Sequence, residues 1–275
     1  MAMGHGKLRK FAENATFSCL LQPEAADVLD REAAGLRLND HPVKGQWNAR
    51  MFSAPRPIVL ELGCGKGDYT IALAERHPEL NFIGVDIKGA RLWKGAKYAT
   101  EKGMGNVAFL RTRIEFITAF FAPGEVSEIW LTFSDPQLRG SENKRLTAPI
   151  FLERYSRFLR ESGRIHLTTD SRFLYEYTRA VVEENRLPVL ASGTDIYHEG
   201  IQTFGPEAPD ISEVLQVQTF YESIFLGAGL PITYLCFCLK GSAFRSPEGF
   251  DADYWREQEG LRTFDFSTGM CNFTR

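Results

Sequence analysis

The stretch Ile58-Val59-Leu60-Glu61-Leu62-Gly63-Cys64-Gly65-Lys66-Gly67-Asp68-Tyr69 decides the fold of this chain. It begins as a run of β-branched and aliphatic residues, and then places three glycines at alternate positions ahead of a helix-like pattern. Glycines permit positive φ and a close approach of the backbone to a ligand. The helix that follows offers unpaired N–H groups and a partial positive charge. A strand that ends in glycines and turns into a helix predicts a ligand site.

The spacing of these glycines distinguishes two kinds of cofactor. A dinucleotide fingerprint is G-x-G-x-x-G, whereas Gly63, Gly65 and Gly67 follow the spacing G-x-G-x-G. Glu61 stands two residues before the first glycine, and a carboxylate beside the loop suits a sulfonium cation better than a pyrophosphate. The stretch resembles the first motif of class I S-adenosylmethionine methyltransferases. It favours that cofactor over a dinucleotide and over a purely structural glycine turn.

Length and composition limit the possible classes of protein. The chain has 275 residues, 44% of them hydrophobic, which suits one large α/β domain with additions or at most two domains. No apolar run reaches the roughly 18 residues of a membrane span, and the polar, basic start lacks the apolar core of a signal peptide. Five scattered cysteines form no C-x-x-C pair. We expect a reduced, cytoplasmic, monomeric protein without a metal or a membrane segment.

Strand-like and helix-like patterns alternate from residue 58 onward. This alternation predicts an α/β fold with a Rossmann-like, doubly wound, mostly parallel seven-stranded sheet and an antiparallel last strand. The strands that the pattern defines cover residues 58–62, 81–85, 107–111, 128–133, 163–169 and 232–239. The predicted helices cover residues 24–34, 68–76, 115–121, 148–159 and 171–185. We divide the chain into a basic arm and irregular segment (1–57), the main domain (58–240) and an extension of unknown role (241–275).

Acidic residues mark the ends of the predicted strands. Asp86, Asp135 and Asp170 each follow a strand, and Glu61 lies in the motif of a fourth. Asp86 suits the two hydroxyls of a ribose, although an Asp in this place can also cap a helix. Because ligands bind at the carboxyl ends of strands in such sheets, we expect the four acids at one pocket, with Asp135 in the same crevice as Gly63.

Basic residues form two groups along a chain whose net charge is only −3. The first group follows the second predicted strand and consists of Lys88, Arg91, Lys94 and Lys97. The second group follows the fourth strand and consists of Arg139, Lys144, Arg145, Arg154 and Arg157. We expect them to bind the phosphates of a nucleic acid. The alternative is a set of solvated helix faces balanced by acids.

Five segments carry a resemblance to a known family. They are Leu60–Gly67, Ile83–Lys88, Thr132–Gln137, Leu167–Asp170 and Thr219–Glu222. Together they resemble the bacterial tRNA (guanine-N7-)-methyltransferase family over about residues 1–240. The fourth-strand motif and the T-x-x-E motif are not general methyltransferase features, so the resemblance is specific.

The resemblance implies transfer of a methyl group from S-adenosylmethionine to N7 of guanine 46 in the tRNA variable loop. It implies Asp135 as the catalytic residue. It assigns the cofactor to Glu61, Gly63, Gly65, Gly67, Asp86, Arg113, Ile114 and Asp135. It assigns the target nucleotide to Gln137, Arg139, Asp170, Thr219, Phe220, Tyr221 and Glu222.

The sequence departs from the family pattern at two positions. Ser134 stands where the family has a proline, which fixes φ and shapes the turn before Asp135. Arg113 stands where many members have an acid that holds the adenine amine, and a guanidinium accepts no hydrogen bond. We therefore expect the backbone N–H of Ile114 to hold the adenine.

The chemistry of guanine leaves the protein a limited task. N7 carries a lone pair and no proton, so the reaction needs positioning and electrostatics rather than a general base. We expect Asp135→Ala to abolish turnover while the cofactor still binds. Two other functions stay open: a class I methyltransferase acting on a small molecule or protein, and a non-catalytic relative that binds the cofactor or tRNA.

Overall fold

A computed structural model describes residues 4–30, 37–210, 217, 220–260, 262–265 and 270–273. The chain divides into two compact units. The first consists of Met1–Trp130 with Arg157–Arg160, and the second of Leu131–Ser156 with Glu161–Arg275.

The strands that the structure describes in the first unit are parallel and follow the order β1-β4-β3-β2-β5. They are β1 (Leu20–Leu21), β2 (Ile58–Leu62), β3 (Asn81–Asp86), β4 (Val107–Arg111) and β5 (Val126–Thr132). Every residue of β2 and β3 is buried, as expected for parallel strands covered on both faces. The strand order reverses at β2, because β3 and β4 lie on one side of it and β5 on the other. Ligands of open α/β sheets bind at such a reversal.

The α-helices among the described residues of the first unit are α1 (Gly4–Asn14), α2 (Trp47–Arg50), α3 (Asp68–Arg76) and α4 (Gly89–Lys102). The bounds of α3 are those predicted from the sequence. The predicted helix at residues 115–121 is instead a 3₁₀ helix at Ile114–Ala119. Of the predicted helix at 24–34, the structure shows a 3₁₀ turn at Ala25–Asp27, and residues 31–36 lie outside the described part.

The amino-terminal segment, predicted as a basic arm, contains the helix α1, which packs on α4. Asn14 is 1% exposed, and its side-chain amide donates to the Gly89 carbonyl at 2.9 Å. The indole N–H of Trp93 donates to Glu13 at 2.6 Å, and the Lys10 ammonium lies 4.7 Å from the centre of the same ring. These contacts fix α1 on α4, because they satisfy polar groups of both helices.

The second unit has antiparallel strands in the order β6-β9-β7-β8 and a separate β10-β11 pair. The strands are β6 (Leu159–Thr169), β7 (Val189–Gly193), β8 (Gln202–Thr203), β9 (Thr233–Cys238), β10 (Arg262–Asp265) and β11 (Met270–Phe273). The helices are α5 (Pro149–Tyr155), α6 (Arg172–Glu184), α7 (Phe220–Gly227) and α8 (Ala252–Gly260). The helix predicted at 148–159 ends at Tyr155, because β6 begins at Leu159.

The predicted α/β class is confirmed: β2, β3 and β4 are parallel, and the last strand that the sequence predicted, at 232–239, is the antiparallel strand β9. The six strands that the pattern placed correspond to β2, β3, β4, β5, β6 and β9, so β1, β7 and β8 were not placed. β1 and β8 have two residues each, too few to show an alternating or buried pattern in the sequence.

Candidate functional site

The loop between β2 and α3 has the backbone conformation that its glycines predict. Gly63, Gly65 and Gly67 have φ values of 81°, 58° and 75°, all in the left-handed region. The N–H groups of Gly63 and Cys64 donate to the Val85 carbonyl at 2.8 and 3.1 Å. The loop is therefore fastened to the end of β3 while it turns into α3.

The three glycines meet different surroundings. A Cβ built on Gly63 or Gly65 has no atom within 4 Å, whereas a Cβ on Gly67 lies 2.6 Å from the Phe109 ring. The same ring fills the space beside Gly84 and Gly95. Gly67 is thus required for packing of α3 and α4 on the sheet. Gly63 and Gly65 leave room for a ligand to reach the backbone.

Glu61 serves the helix behind this loop. Its side chain is 5% exposed, and its Oε2 accepts a hydrogen bond from the Thr70 N–H at 2.8 Å. The Thr70 hydroxyl donates to the same oxygen. The carboxylate therefore holds the first turn of α3 against β2. The predicted contact of Glu61 with a cofactor stays a prediction.

Asp86 connects the glycine loop to the start of α4. It is 8% exposed; Oδ2 accepts from the Gly65 N–H at 3.0 Å, and Oδ1 accepts from the Lys88 N–H at 2.7 Å. Lys88, not Asp86, is the N-cap residue of α4. Asp86 therefore closes the turn that leads into α4, and the capping alternative does not describe it. It also lies directly beside the open part of the loop.

Cys64 lies between two of the glycines but is a poor nucleophile. Burial raises the pKa of its thiol well above the ordinary value, and the nearby charges of Glu61 and Asp86 raise it further. The thiolate is the reactive form of cysteine. At neutral pH the Cys64 side chain is therefore a protonated packing group.

The side chain of Arg113, predicted to lie at the cofactor, turns to its own neighbours. It is exposed, lies 3.2 Å from a carboxylate oxygen of Glu115, and covers the Phe116 ring at 5.7 Å. Arg113 precedes the 3₁₀ helix, whose first residue is Ile114. An adenine contact at this position would therefore use the backbone, as expected for Ile114.

In the second unit, the loop that follows β5 presents Asp135. The carboxylate is exposed, and its Oδ1 accepts a hydrogen bond from the Gln137 N–H at 2.9 Å. Phe133 and Gln137, on either side, have φ values of 49° and 52°. Such left-handed conformations cost a non-glycine residue about 1–3 kcal/mol and persist only where the surroundings hold them. The loop that aims Asp135 is therefore strained on both sides.

Arg145 supports this loop from inside, which corrects its assignment to a phosphate-binding surface. It is 3% exposed, and its guanidinium carbon lies 4.7 and 4.6 Å from the centres of the Phe173 and Tyr177 rings. Its Nε donates to the Pro136 carbonyl at 3.3 Å. Burial lowers the pKa of the guanidinium. Arg145 holds the loop and is not available on the surface.

The two predicted nucleotide-binding acids of this unit lie on different elements. Asp170 is half-buried between β6 and α6, where Ser171 caps the helix by accepting the Leu174 N–H at 3.1 Å. Glu222 lies on α7, is 2% exposed, and accepts a hydrogen bond from the Tyr197 hydroxyl at 2.7 Å. Ser171, and not Asp170, therefore caps α6. Glu222 is held by Tyr197, a residue that the sequence did not indicate.

The remaining predicted substrate residues are less defined. Gln137 is half-buried and Arg139 is exposed on the Asp135 loop. Thr219 lies outside the described residues. The backbones of Phe220 and Tyr221 begin α7, but their side chains lie outside the described part.

The basic group that follows β3 is partly paired with acids. Lys94 contacts Asp68 at 2.7 Å, and Lys97 contacts Glu101 at 3.6 Å. Lys88 and Arg91 are exposed. The structure thus supports a mixed reading of the first basic group, with both solvated pairs and exposed cations.

Among the described residues, no helix combines the length and the apolar character that a membrane-spanning segment needs. Within the same residues, no group of three or more His, Cys, Asp or Glu side chains could hold a metal ion.

Comparisons with known proteins place the chain in a family. Residues 55–208 match the family model described as "Putative methyltransferase". A tRNA (guanine-N(7)-)-methyltransferase of Bacteroides fragilis (strain YCH46) is 46% identical over 268 residues, which cover 95% of this chain and 99% of that protein. A tRNA (guanine-N(7)-)-methyltransferase of Porphyromonas gingivalis (strain ATCC BAA-308 / W83) is 50% identical over 223 residues, which cover 80% and 86%.

Among solved structures, a 30S ribosomal A1408 methyltransferase from an uncultured bacterium aligns with a TM-score of 0.49 at 15% identity. The alignment covers 78% of this chain and 99% of that one. The family follows from the relatives of similar sequence: the chain belongs to the tRNA (guanine-N(7)-)-methyltransferase family.

Proposed function

We propose that this protein transfers the methyl group of S-adenosylmethionine to N7 of guanine 46 in the variable loop of tRNA. The observation that carries the proposal is the 46% identity over 95% of the chain to a protein named for guanine-N7 methylation of tRNA. The position within the tRNA comes from the family resemblance of the sequence motifs. We assign the cofactor mainly to residues of the first unit and the guanine to residues of the second.

The glycine loop fits an adenosyl cofactor. Gly63 and Gly65 leave open space where a side chain would otherwise stand. A carboxylate has about four lone-pair sites, and Asp86 uses two of them for the N–H groups of Gly65 and Lys88. Its other sites suit the two hydroxyls of a ribose. The backbone of Ile114 would hold the adenine, and Glu61 would keep α3 and the loop in place.

S-adenosylmethionine, when bound, supplies a methyl group activated by a positively charged sulfur. The task of the protein is to hold guanine N7 in line with that methyl, because N7 already carries a lone pair. The N1–H and N2–H₂ groups of guanine are donors, so carboxylates are suitable partners. We assign this role to Asp135, with Asp170 and Glu222 as further contacts of the nucleotide. The exposed carboxylate of Asp135 matches this task.

We assign phosphate binding to the exposed cations. Lys88, Arg91, Arg139 and Lys144 are all exposed, and each phosphate contact releases counterions and makes binding salt-dependent. A protein that modifies tRNA in this way would act in the cytoplasm, and we propose that it acts as a monomer.

The test is methyl transfer from labelled S-adenosylmethionine to unmodified tRNA transcripts, with digestion and identification of the labelled nucleoside. We expect N7-methylguanosine, with a rate that falls steeply between low and high salt. A transcript with adenine in place of guanine 46 is the matched control and should take up no label. Label in that control would refute the position. Cofactor binding without transfer would favour a non-catalytic relative, and transfer only to protein or small molecules would favour the other alternative.

A further inference from the structure

The proposed function assigns no residue between positions 241 and 260, yet this segment is attached along α6. Asn185, just after α6, exchanges two hydrogen bonds with the backbone of Arg245, at 2.9 and 2.8 Å. The ring of Phe250 meets the rings of Phe173 and Tyr177 edge-on at 5.8 and 5.6 Å. Glu259 accepts the Phe173 N–H at 3.2 Å. The segment is therefore a fixed part of the second unit.

From this position the segment reaches the loop of Asp135. The Nε of Arg256, on α8, donates to the Leu138 carbonyl at 2.7 Å, across 118 residues of sequence. The Ser246 hydroxyl donates to Glu142 at 3.0 Å. Glu142 in turn accepts the Tyr177 hydroxyl at 2.6 Å. Two contacts thus run from the carboxyl-terminal segment to the residues just after Asp135.

The loop needs such supports. Phe133 and Gln137 are held in left-handed conformations that favour glycine. Ser134 gives none of the restriction that a proline would give. Arg145 holds the carbonyl before Gln137, which is that of Pro136, and Arg256 holds the carbonyl after it, which is that of Leu138. The two arginines fasten the loop on both sides of its strained residue.

We infer that Arg256 is a positioning residue of the active site, which acts by holding the Leu138 carbonyl and so aims the Asp135 carboxylate. The inference rests on the proposed function, because it assumes that Asp135 holds the guanine. It gives residues 241–260 a part in the reaction: α8 completes the support that the loop sequence lacks. Arg256 contacts neither reacting group in this account.

The side chain of Arg256 allows a matched set of variants. In Arg256→Gln, the amide nitrogen occupies the same place along the side chain as Nε, so a donor to Leu138 is kept. Arg256→Met keeps an apolar stem but has no donor. Like Arg256→Gln, it loses the guanidinium, whose carbon lies 6.0 Å from the centre of the Phe173 ring. Asp253→Asn removes the charge that pairs with Arg256 Nη1 at 2.6 Å without touching the Leu138 contact.

The experiment measures kcat and KM for unmodified tRNA, cofactor Kd by calorimetry, and Tm for each full-length variant. A displaced catalytic group commonly costs one to two orders of magnitude, so we expect about 10- to 100-fold lower kcat in Arg256→Met. Its cofactor Kd should be unchanged. Arg256→Gln should recover most of the lost kcat, and Asp253→Asn should match the wild type. This pattern assigns the effect to the hydrogen bond.

Two results would overturn the inference. One is wild-type kcat in Arg256→Met. The other is an equal loss of kcat in Arg256→Met, Arg256→Gln and Asp253→Asn, which would mean that α8 matters only as a packed helix. If Arg256→Met does not fold, Arg256→Leu, which also lacks a donor, takes its place with the same expected loss of kcat, and a wild-type kcat in Arg256→Leu contradicts the inference. A wild-type protein that methylates no tRNA contradicts the proposed function instead.

Discussion

The glycine loop after β2 and the Asp135 loop after β5 solve the same problem in different ways. Both leave a strand in a sharp turn that needs left-handed backbone. The first has glycine at all three left-handed positions, 63, 65 and 67. The second has Phe133 and Gln137 at these positions, and the carbonyls on both sides of Gln137 are held by side chains from outside the turn, Arg145 and Arg256. A turn can therefore be encoded locally by its own residues or imposed by its surroundings.

The largest expected effect comes from the group that the second loop presents. Asp135→Ala should lower turnover at least about 100-fold, because one fixed electrostatic contact at the reacting group is removed. The cofactor Kd should not change, since the glycine loop is intact. Single-turnover methylation of unmodified tRNA and calorimetric cofactor binding check both parts. Asp135→Asn keeps an acceptor for the Gln137 N–H and separates charge from loop geometry; near-normal turnover in Asp135→Ala would remove Asp135 from the mechanism.

A smaller effect, on the free energy of unfolding, should distinguish Gly67 from Gly65 in the first loop. Gly67→Ala combines a left-handed φ with a contact 2.6 Å from Phe109, so we expect about 2–4 kcal/mol lower free energy of unfolding. Gly65→Ala meets no atom within 4 Å and should cost about 1–2 kcal/mol, from the backbone alone. Urea unfolding measures both. Cofactor binding should weaken in Gly65→Ala, and equal stability losses in the two variants would contradict the assigned roles.

A third substitution makes the second loop more like the first. Gln137→Gly relieves the left-handed conformation but increases the entropy of the unfolded chain, so stability should change by less than about 1 kcal/mol. The freed loop should aim Asp135 less well and lower kcat. Gln137→Asn, which tolerates left-handed backbone and keeps an amide, is the control and should retain more activity. A kcat in Gln137→Gly equal to that of the wild type would mean that the strain has no role.

The effect that is smallest at neutral pH concerns Cys64, inside the first loop. Its pKa is raised by burial, so above the unfolded value of about 8.5 the unfolded chain releases a proton that the folded chain keeps. Stability should therefore be unaffected by this group below that pH and should fall as pH rises above it, by up to about 1.4 kcal/mol per pH unit. Urea unfolding from pH 7 to pH 10 should show a shallower decline in Cys64→Ala than in the wild type.

Much of the first unit could be predicted from the sequence. The bounds of α3 and β2 were predicted to the residue, because buried aliphatic runs and glycines report local requirements of the chain. The sequence did not predict the amino-terminal helix α1, because its residues are polar and basic. Two of its own residues, Glu13 and Asn14, hold it against α4. Contacts between distant segments leave no periodic signal in either segment.

Contacts around Asp135 in the second unit could likewise not be predicted from the sequence. Polar and charged residues precede Arg145 in the sequence, as they would a surface cation. In the structure it is buried against two aromatic rings of α6. Tyr197 and Arg256 gave no signal at all, because each acts on a residue that only the fold brings close. The predicted meeting of Asp135 and the glycine loop in one crevice stays a prediction.

The sequence by itself determined the α/β class, the glycine loop and the acids at the strand ends, because hydrophobic period and the freedom of glycine are properties of neighbouring residues. Only the tertiary structure decided which glycine packs and which is open, that Arg145 is internal, and that α8 reaches the loop of Asp135. These depend on which atoms are close in space, and Leu138 and Arg256 stand 118 positions apart in the sequence, so no local pattern reports that they are close.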